Sequence, residues 1–353
     1  MLNAVLVIAG LLLAGFTLAD VFQTVVVPGG SRASLRVSRR VTFLLLPVWK
    51  AARGKRQGLS PSFAPTILLS SFVIWVGLLA AGFGLVAYAA RADFEPSLRS
   101  YWEALYLVGS SLITIGMSET NATGAARWII LAAGFCGLAV ITMAVTYLLE
   151  VQSNTSKRDV GILKLNTIAG QPPSALTVFE RFAAIGDRDE LARVLRDFRE
   201  WCAIVRQSHC SHPSVIYFQS VGTGTGWPAG LGALVDLALV AEDWLAEERL
   251  YGAAVLLREE ATRMAEELSA LLALQPAKST ESEAELDRLA TRLQQAGYRM
   301  KGPLDLAKSL RERELIQGFV NALADHLGKP RTQLVRDGGY PRVKSSRAAG
   351  FGA

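Results

Sequence analysis

Three stretches of the chain run on without a charged or histidine side chain: 2–18, 64–90 and 128–149. A hydrocarbon layer of about 30 Å takes roughly 20 helical residues to cross, so each stretch predicts a membrane-spanning helix. No such run recurs after Glu150. The pattern there changes to apolar positions three and four apart with charges between them, over 175–185, 189–208, 229–247, 248–273, 281–298 and 303–326. Leu191, Val194, Leu195, Phe198, Cys202 and Val205 form one such stripe, the mark of an amphipathic helix. Pro172-Pro173-Ser174 is the stop before the first of these helices. The expected fold class is an all-α membrane protein with three transmembrane helices and a water-exposed helical bundle behind them. Met1–Ala19 has no basic start and its apolar run is long for a leader, so it reads as a span rather than a cleaved signal.

Between the second and third spans, 101–112 is almost continuously apolar, with Tyr101, Trp102, Leu105, Tyr106 and Val108 and one charge, Glu103. A helix of that length is too short to cross and suits a re-entrant segment. It runs straight into Ile113-Thr114-Ile115-Gly116-Met117-Ser118-Glu119. Non-helical backbone at membrane depth is tolerated only where protein buries it or it lines a water-filled path.

Charge adds an orientation. Between 31 and 60 lie Arg32, Arg36, Arg39, Arg40, Lys50, Arg53, Lys55 and Arg56 with no acidic residue, which places this connection in the cytoplasm by the positive-inside bias. The N-terminus is then outside, Asp93, Glu95 and Glu103 fall on the external side, and Lys157 and Arg158 follow the third span inside. The net charge of +6 is concentrated in that connection and in the tail, which points to anionic lipid head groups and not to nucleic acid. Arg32, Arg36, Arg39 and Arg40 share one side of a helix, with Val37, Val41 and Leu44 able to lie against lipid; an interfacial helix and a solvated basic linker both fit. The expected organisation is 1–28 first span, 29–63 basic cytoplasmic linker, 64–150 membrane domain, 151–328 cytoplasmic helical domain and 329–353 basic disordered tail. The setting is the plasma (inner) membrane.

The run Tyr101-Trp102-Glu103-Ala104-Leu105-Tyr106, followed by Thr114-Ile115-Gly116, resembles the pore helix and the start of the selectivity filter of tetrameric potassium channels. Their filter usually reads Thr-Val-Gly-Tyr-Gly-Asp. This resemblance covers roughly 64–150. Over more of the chain, Asp20, Phe22, Thr24 and Pro28, the run 170–175 and Ser208-His209 are similar to motifs of bacterial potassium channel-like membrane proteins. The resemblance implies a filter at Thr114, Ile115, Gly116, Met117, Ser118 and Glu119, a pore helix carrying Trp102, Glu103 and Tyr106, and a homotetramer. It implies potassium or sodium as permeant ion, and no cofactor.

In such a filter, backbone carbonyls and a Thr hydroxyl replace the water around the ion. Thr114, Ile115 and Gly116 can supply the inner rungs. The outer half departs from the family: Met117 replaces an aromatic residue whose hydroxyl braces the filter, and a thioether cannot donate a hydrogen bond. Ser118 occupies the second glycine position, where left-handed backbone is expected at a cost of about 1–2 kcal/mol. Glu119 keeps a carboxylate at the mouth. The expectation is a weakly selective monovalent cation channel, like pore-loop channels with the shortened filter Thr-Ile-Gly-Glu. The alternative is a non-conducting receptor or scaffold on a channel fold, with the helical domain as its working part.

Gly134 and Gly137 in the third span allow close helix packing or a gating bend. Asp20, near the inner end of the first span, needs a partner such as Arg32, Arg39 or Arg40, or a place at the head groups. Cys202, His209, Cys210 and His212 form a weak metal-capable cluster, yet His209 and Cys210 point apart on any regular element, and Cys202 lies on an apolar stripe, so no metal is expected. No arrangement matches an enzyme motif, and no disulfide framework is indicated. The ligand or partner of the cytoplasmic half is not legible.

Overall fold

A computed structural model describes residues 1–27, 37, 40–41, 44–47, 49, 63–218, 222–278 and 281–335. Three of its helices are long and apolar enough to cross a membrane: α1 (Leu2–Val25), α2 (Phe63–Ala89) and α4 (Ala126–Ala169). Between the last two lies α3 (Tyr101–Leu112). The others are α5 (Ala175–Ile185), α6 (Arg188–Ser211), α7 (Trp227–Leu239), α8 (Glu248–Leu271), α9 (Glu283–Gln295) and α10 (Leu306–Leu327). Contacts divide the chain into two compact units, Met1–Thr155 with Ser211–Gln219, and Ser156–Cys210 with Ser220–Ala353.

In the first unit α1 lies along α2. A Cβ at Gly10 would stand 2.4 Å from the Gly82 carbonyl oxygen, and one at Gly82 would stand 2.8 Å from that of Gly10, so this close approach admits no side chain at either position. Asp20 is buried in this contact, and its partners differ from those expected. The Trp75 indole N–H (2.8 Å) and the Val37 amide (3.1 Å) both donate to its Oδ2; of the arginines expected as partners, Arg32 and Arg39 lie outside the described residues. Trp75 comes from α2, far along the chain, and spacing alone carried no sign of it.

The connection from α2 to α4 is drawn together by a two-stranded antiparallel ribbon, β1 (Phe94–Glu95) with β2 (Asn121–Ala122). Thr123 reinforces it, its amide and hydroxyl both donating to the Asp93 carbonyl at 2.8 Å. Val37, Arg40, Val41, 44–47 and Trp49 are helical. Val41 is buried, Val37 packs against the first unit's core, and Leu44 is exposed, so the apolar side expected to meet lipid is only partly free. Arg40 is exposed; Arg32, Arg36 and Arg39 lie outside the described residues.

α4 corrects the sequence reading most. The expected division at 150/151 falls inside it, and the helix runs on to Ala169. Helix formers such as Leu163, Lys164 and Leu165 continue the pattern once the apolar run ends, and no Pro or Gly-Pro pair interrupts until Gly170.

In the second unit, α7 is the buried centre, with α8 and α10 packed on it. Its Asp236 takes a two-pronged ion pair from Arg313 of α10 (2.7 and 3.0 Å), and Gln317 donates to Asp236 Oδ1 (2.9 Å) and to the Gly232 carbonyl (2.8 Å). Glu281 completes the group at 3.1 Å from Arg313 Nη1. Pairing of this kind is what a buried charge requires. The tail expected to be disordered from 329 is packed as far as 335: Leu334 is buried, and its carbonyl accepts from Ser174 Oγ (3.2 Å).

Candidate functional site

α3 begins where sequence chemistry starts it. The Ser100 side chain accepts from the Glu103 amide (3.3 Å), and the Glu103 carboxylate accepts from the Arg99 amide (2.6 Å). Glu103 is therefore a capping residue at the α3 N-terminus. Ala104, Leu107, Val108 and Leu112 are buried, and α3 packs on α2, with the Tyr101 hydroxyl donating to the Ala81 carbonyl (3.1 Å). Trp102 and Tyr106, on the opposite side, are 73% and 62% exposed.

The segment after α3 is held from one residue. The Ser110 carbonyl accepts the amides of Ile115 (2.9 Å) and Gly116 (3.0 Å), and the Ser111 carbonyl accepts that of Thr114 (3.0 Å). Three successive amides thus turn back onto the end of α3. Among the described residues, no hydrogen bond is made to the carbonyls of Thr114, Ile115 or Gly116. The backbone that achieves this is left-handed at Thr114 (φ +60°) and Gly116 (φ +68°). For a β-branched Thr that conformation costs about 1–2 kcal/mol, offset by the amide bonds around it. Ser118, expected to be the left-handed residue, does not have a positive φ. Its hydroxyl instead closes a small turn, donating to the Thr120 carbonyl and accepting from the Thr120 amide, each at 2.9 Å.

Ser110, which the sequence reading passed over, also reaches the outer half. Its buried hydroxyl lies 2.9 Å from the Leu107 carbonyl and 3.0 Å from that of Met117, so a single proton is shared between the two. The Met117 carbonyl is thereby drawn toward α3. A serine near the end of an apolar helix carries no signal of this role, because a hydroxyl that bonds its own helix looks the same in sequence.

α4 closes the site from behind. A Cβ at Gly137 would stand 2.0 Å from the Leu112 carbonyl oxygen, and one at Gly134 would stand 3.3 Å from Ser111 Oγ. α4 is continuous through both, and the lack of a side chain at Gly137 admits the close approach of Leu112. Residues 113–119 are all exposed in the single chain, as are Leu131, Phe135 and Leu138 on α4. Ser111, Thr114, Ile130, Gly134, Phe135 and Leu138 line part of an open groove of about 580 Å³.

The metal-capable residues do not converge. Among the described residues no three His, Cys, Asp or Glu side chains gather as ligands. Burial holds the Cys202 thiol far above its usual range, and burial followed by the Glu267 carboxylate raises that of Cys210 to about 11, so neither offers a thiolate. His209 is buried, its Nδ1–H donating to the Val205 carbonyl (2.8 Å), and His212 belongs to the other unit.

Residues 72–154, from within α2 through α3 to α4, match a family described as an ion channel. No curated protein and no solved structure matches the chain. The match supports an ion channel in the membrane. It points to transport rather than catalysis, and channel families suggest oligomeric assembly.

Proposed function

We propose that the chain is the subunit of a homotetrameric pore-loop cation channel in the plasma (inner) membrane, with α3 as pore helix and Thr114–Gly116 as the inner rungs of its filter. The observation that carries this is the arrangement at Ser110: amides of 114–116 tied back onto α3 and carbonyls left without partners. Four copies of such a segment around an axis present rings of carbonyl oxygens to a dehydrated monovalent cation. One loop per chain encloses a path only when several chains contribute, and the exposed Trp102, Tyr106, Leu131 and Phe135 supply apolar surface for that contact. With the Met117 carbonyl drawn to Ser110 Oγ, and no hydroxyl at 117, the outer sites are weak, so potassium and sodium both pass. The N-terminus is outside, and the second unit is cytoplasmic.

The test is the reversal potential of the purified protein in a planar bilayer, with potassium on one side and sodium on the other. Clear current reversing near zero is expected. A reversal near the potassium limit would refute weak selectivity, and folded tetramer without current at any voltage would refute conduction.

A further inference from the structure

The chain leaves the second unit after Cys210 and comes back at Ser220, and the residues between belong to the first unit. A short 3₁₀ turn, Pro213–Tyr217, forms the body of this excursion, and it is buried: Ser214, Val215, Ile216 and Tyr217 are each less than a tenth exposed. Val215 is fully buried in one apolar cluster with Leu68 of α2 and with Tyr147 and Val151 of α4, and Val25 of α1 packs against the same cluster. Tyr217 sets the edge of its ring against Phe63 at 5.4 Å and against Trp49 at 6.1 Å, while Trp49 stacks on Phe63 at 4.6 Å. Two specific contacts hold α4: the Tyr147 hydroxyl lies 3.0 Å from Ser214 Oγ, and the Tyr147 ring meets that of His212 at 5.3 Å.

The place of Tyr147 gives these contacts their meaning. It lies 21 residues beyond Ala126, where α4 begins beside the filter segment. At 1.5 Å per residue that is about 30 Å, one hydrocarbon thickness, so Tyr147 stands where α4 leaves the opposite side of the membrane. On its outer side α4 shows Ile141, Val145 and Leu148, apolar and unpartnered in the single chain. In a tetramer these faces attract one another across the axis, and a contact holding Tyr147 to the chain's own α2 opposes that collapse.

We infer that 211–218 is a clamp by which the C-terminal half of the chain holds the far end of α4 against α2 and so keeps the conduction path open, the Tyr147–Ser214–His212 contact being its point of purchase. The clamp rests on the channel reading above. Tyr147 and Ser214 are positioning residues, acting on the path through α4 and not on the ion. A movement within the C-terminal half reaches α4 through this covalently connected segment, with no need of a diffusing messenger.

Single-channel recording of the full-length protein tests it. Tyr147→Phe and Ser214→Ala are each expected to lower open probability by roughly fivefold or more, the scale of one buried hydrogen bond lost in each of several subunits. Unitary current and reversal potential stay unchanged. The double variant adds little to either single one, since both remove the same contact, and Ser214→Thr, which keeps the hydroxyl, restores the wild-type value. Amide hydrogen exchange provides the readout that does not need current: Ser214→Ala raises exchange over 143–155 and leaves 101–112 unchanged. Wild-type current with unaltered open probability in the variants, or unaltered exchange over 143–155, overturns the clamp. Absence of wild-type current from folded tetramer, by contrast, overturns the channel reading and with it the regulatory role, whatever the exchange shows.

Discussion

At the scale of residues, two side chains illustrate how burial gives ordinary groups a task. Ser110 holds the amides of 115 and 116 through its carbonyl and the Met117 carbonyl through its hydroxyl. Ser110→Ala keeps the first and removes the second. Freed from α3, the Met117 carbonyl can join the ladder, so the variant is expected to keep its current while its reversal potential moves toward the potassium limit by at least 10 mV, on the order of a 1.5-fold change in permeability ratio, measured in the same bilayer. An unchanged reversal potential would show that the hydroxyl has no hold on selectivity. His209 in the second unit is the other case. Burial, and next the charge of Arg158, push its pKa down to about 3, and among the described residues its Nε2 has no hydrogen-bond partner. The unfolded chain takes up a proton near pH 6.5 and the folded one only near 3, so the contribution of His209 is complete above 6.5 and is lost as pH falls through that window. Thermal unfolding followed from pH 7 to 4 should show a midpoint that drops with acid, and His209→Gln should flatten that slope.

Elements add constraints that no single side chain shows. α3 has an intrinsic start in Ser100 and Glu103, yet its C-terminal end is set by what presses on it, the backbone of α4 at Gly137. Gly137→Ala places a methyl group 2.0 Å from the Leu112 carbonyl, so either α4 withdraws or the end of α3 shifts, and the segment 113–117 hangs from that end. The expected outcome is tetramer that still assembles, by size-exclusion mass, with unitary current reduced severalfold. Full wild-type current would mean that the helix ends yield without moving 113–117. The bounds of the short helix were legible to the residue, because a short apolar run between a capping serine and a polar turn has one good reading. The end of α4 was not, because hydropathy marks where lipid stops and leaves open where helix stops.

Across the whole molecule, the two compact units do not follow the chain in one cut. Sequence placed a boundary at 150/151, where the apolar run gives way to charge, and nothing in Ser211–Gln219 distinguishes it from any helix-to-helix connection. Its membership of the first unit depends on Tyr147, Phe63 and Leu68, residues 67 to 154 positions distant from their partners in the segment. Asp20, whose partner was expected among nearby arginines, is bonded by Trp75, 55 residues away, and by the backbone amide of Val37, which no side-chain pattern marks. Residues 329–335 look unstructured in composition and are ordered by Ser174 and Ala229.

Sequence alone determined the three apolar helices, the short helix and Thr-Ile-Gly loop between the last two, and the amphipathic helices that follow, because each is written in local periodicity that the chain can satisfy by itself. Tertiary structure decided which groups meet: Ser110 with Met117, Gly137 with Leu112, Tyr147 with Ser214. Such pairings arise when packing brings distant backbone and side-chain polar groups out of water together, and each then bonds whatever neighbour the fold supplies.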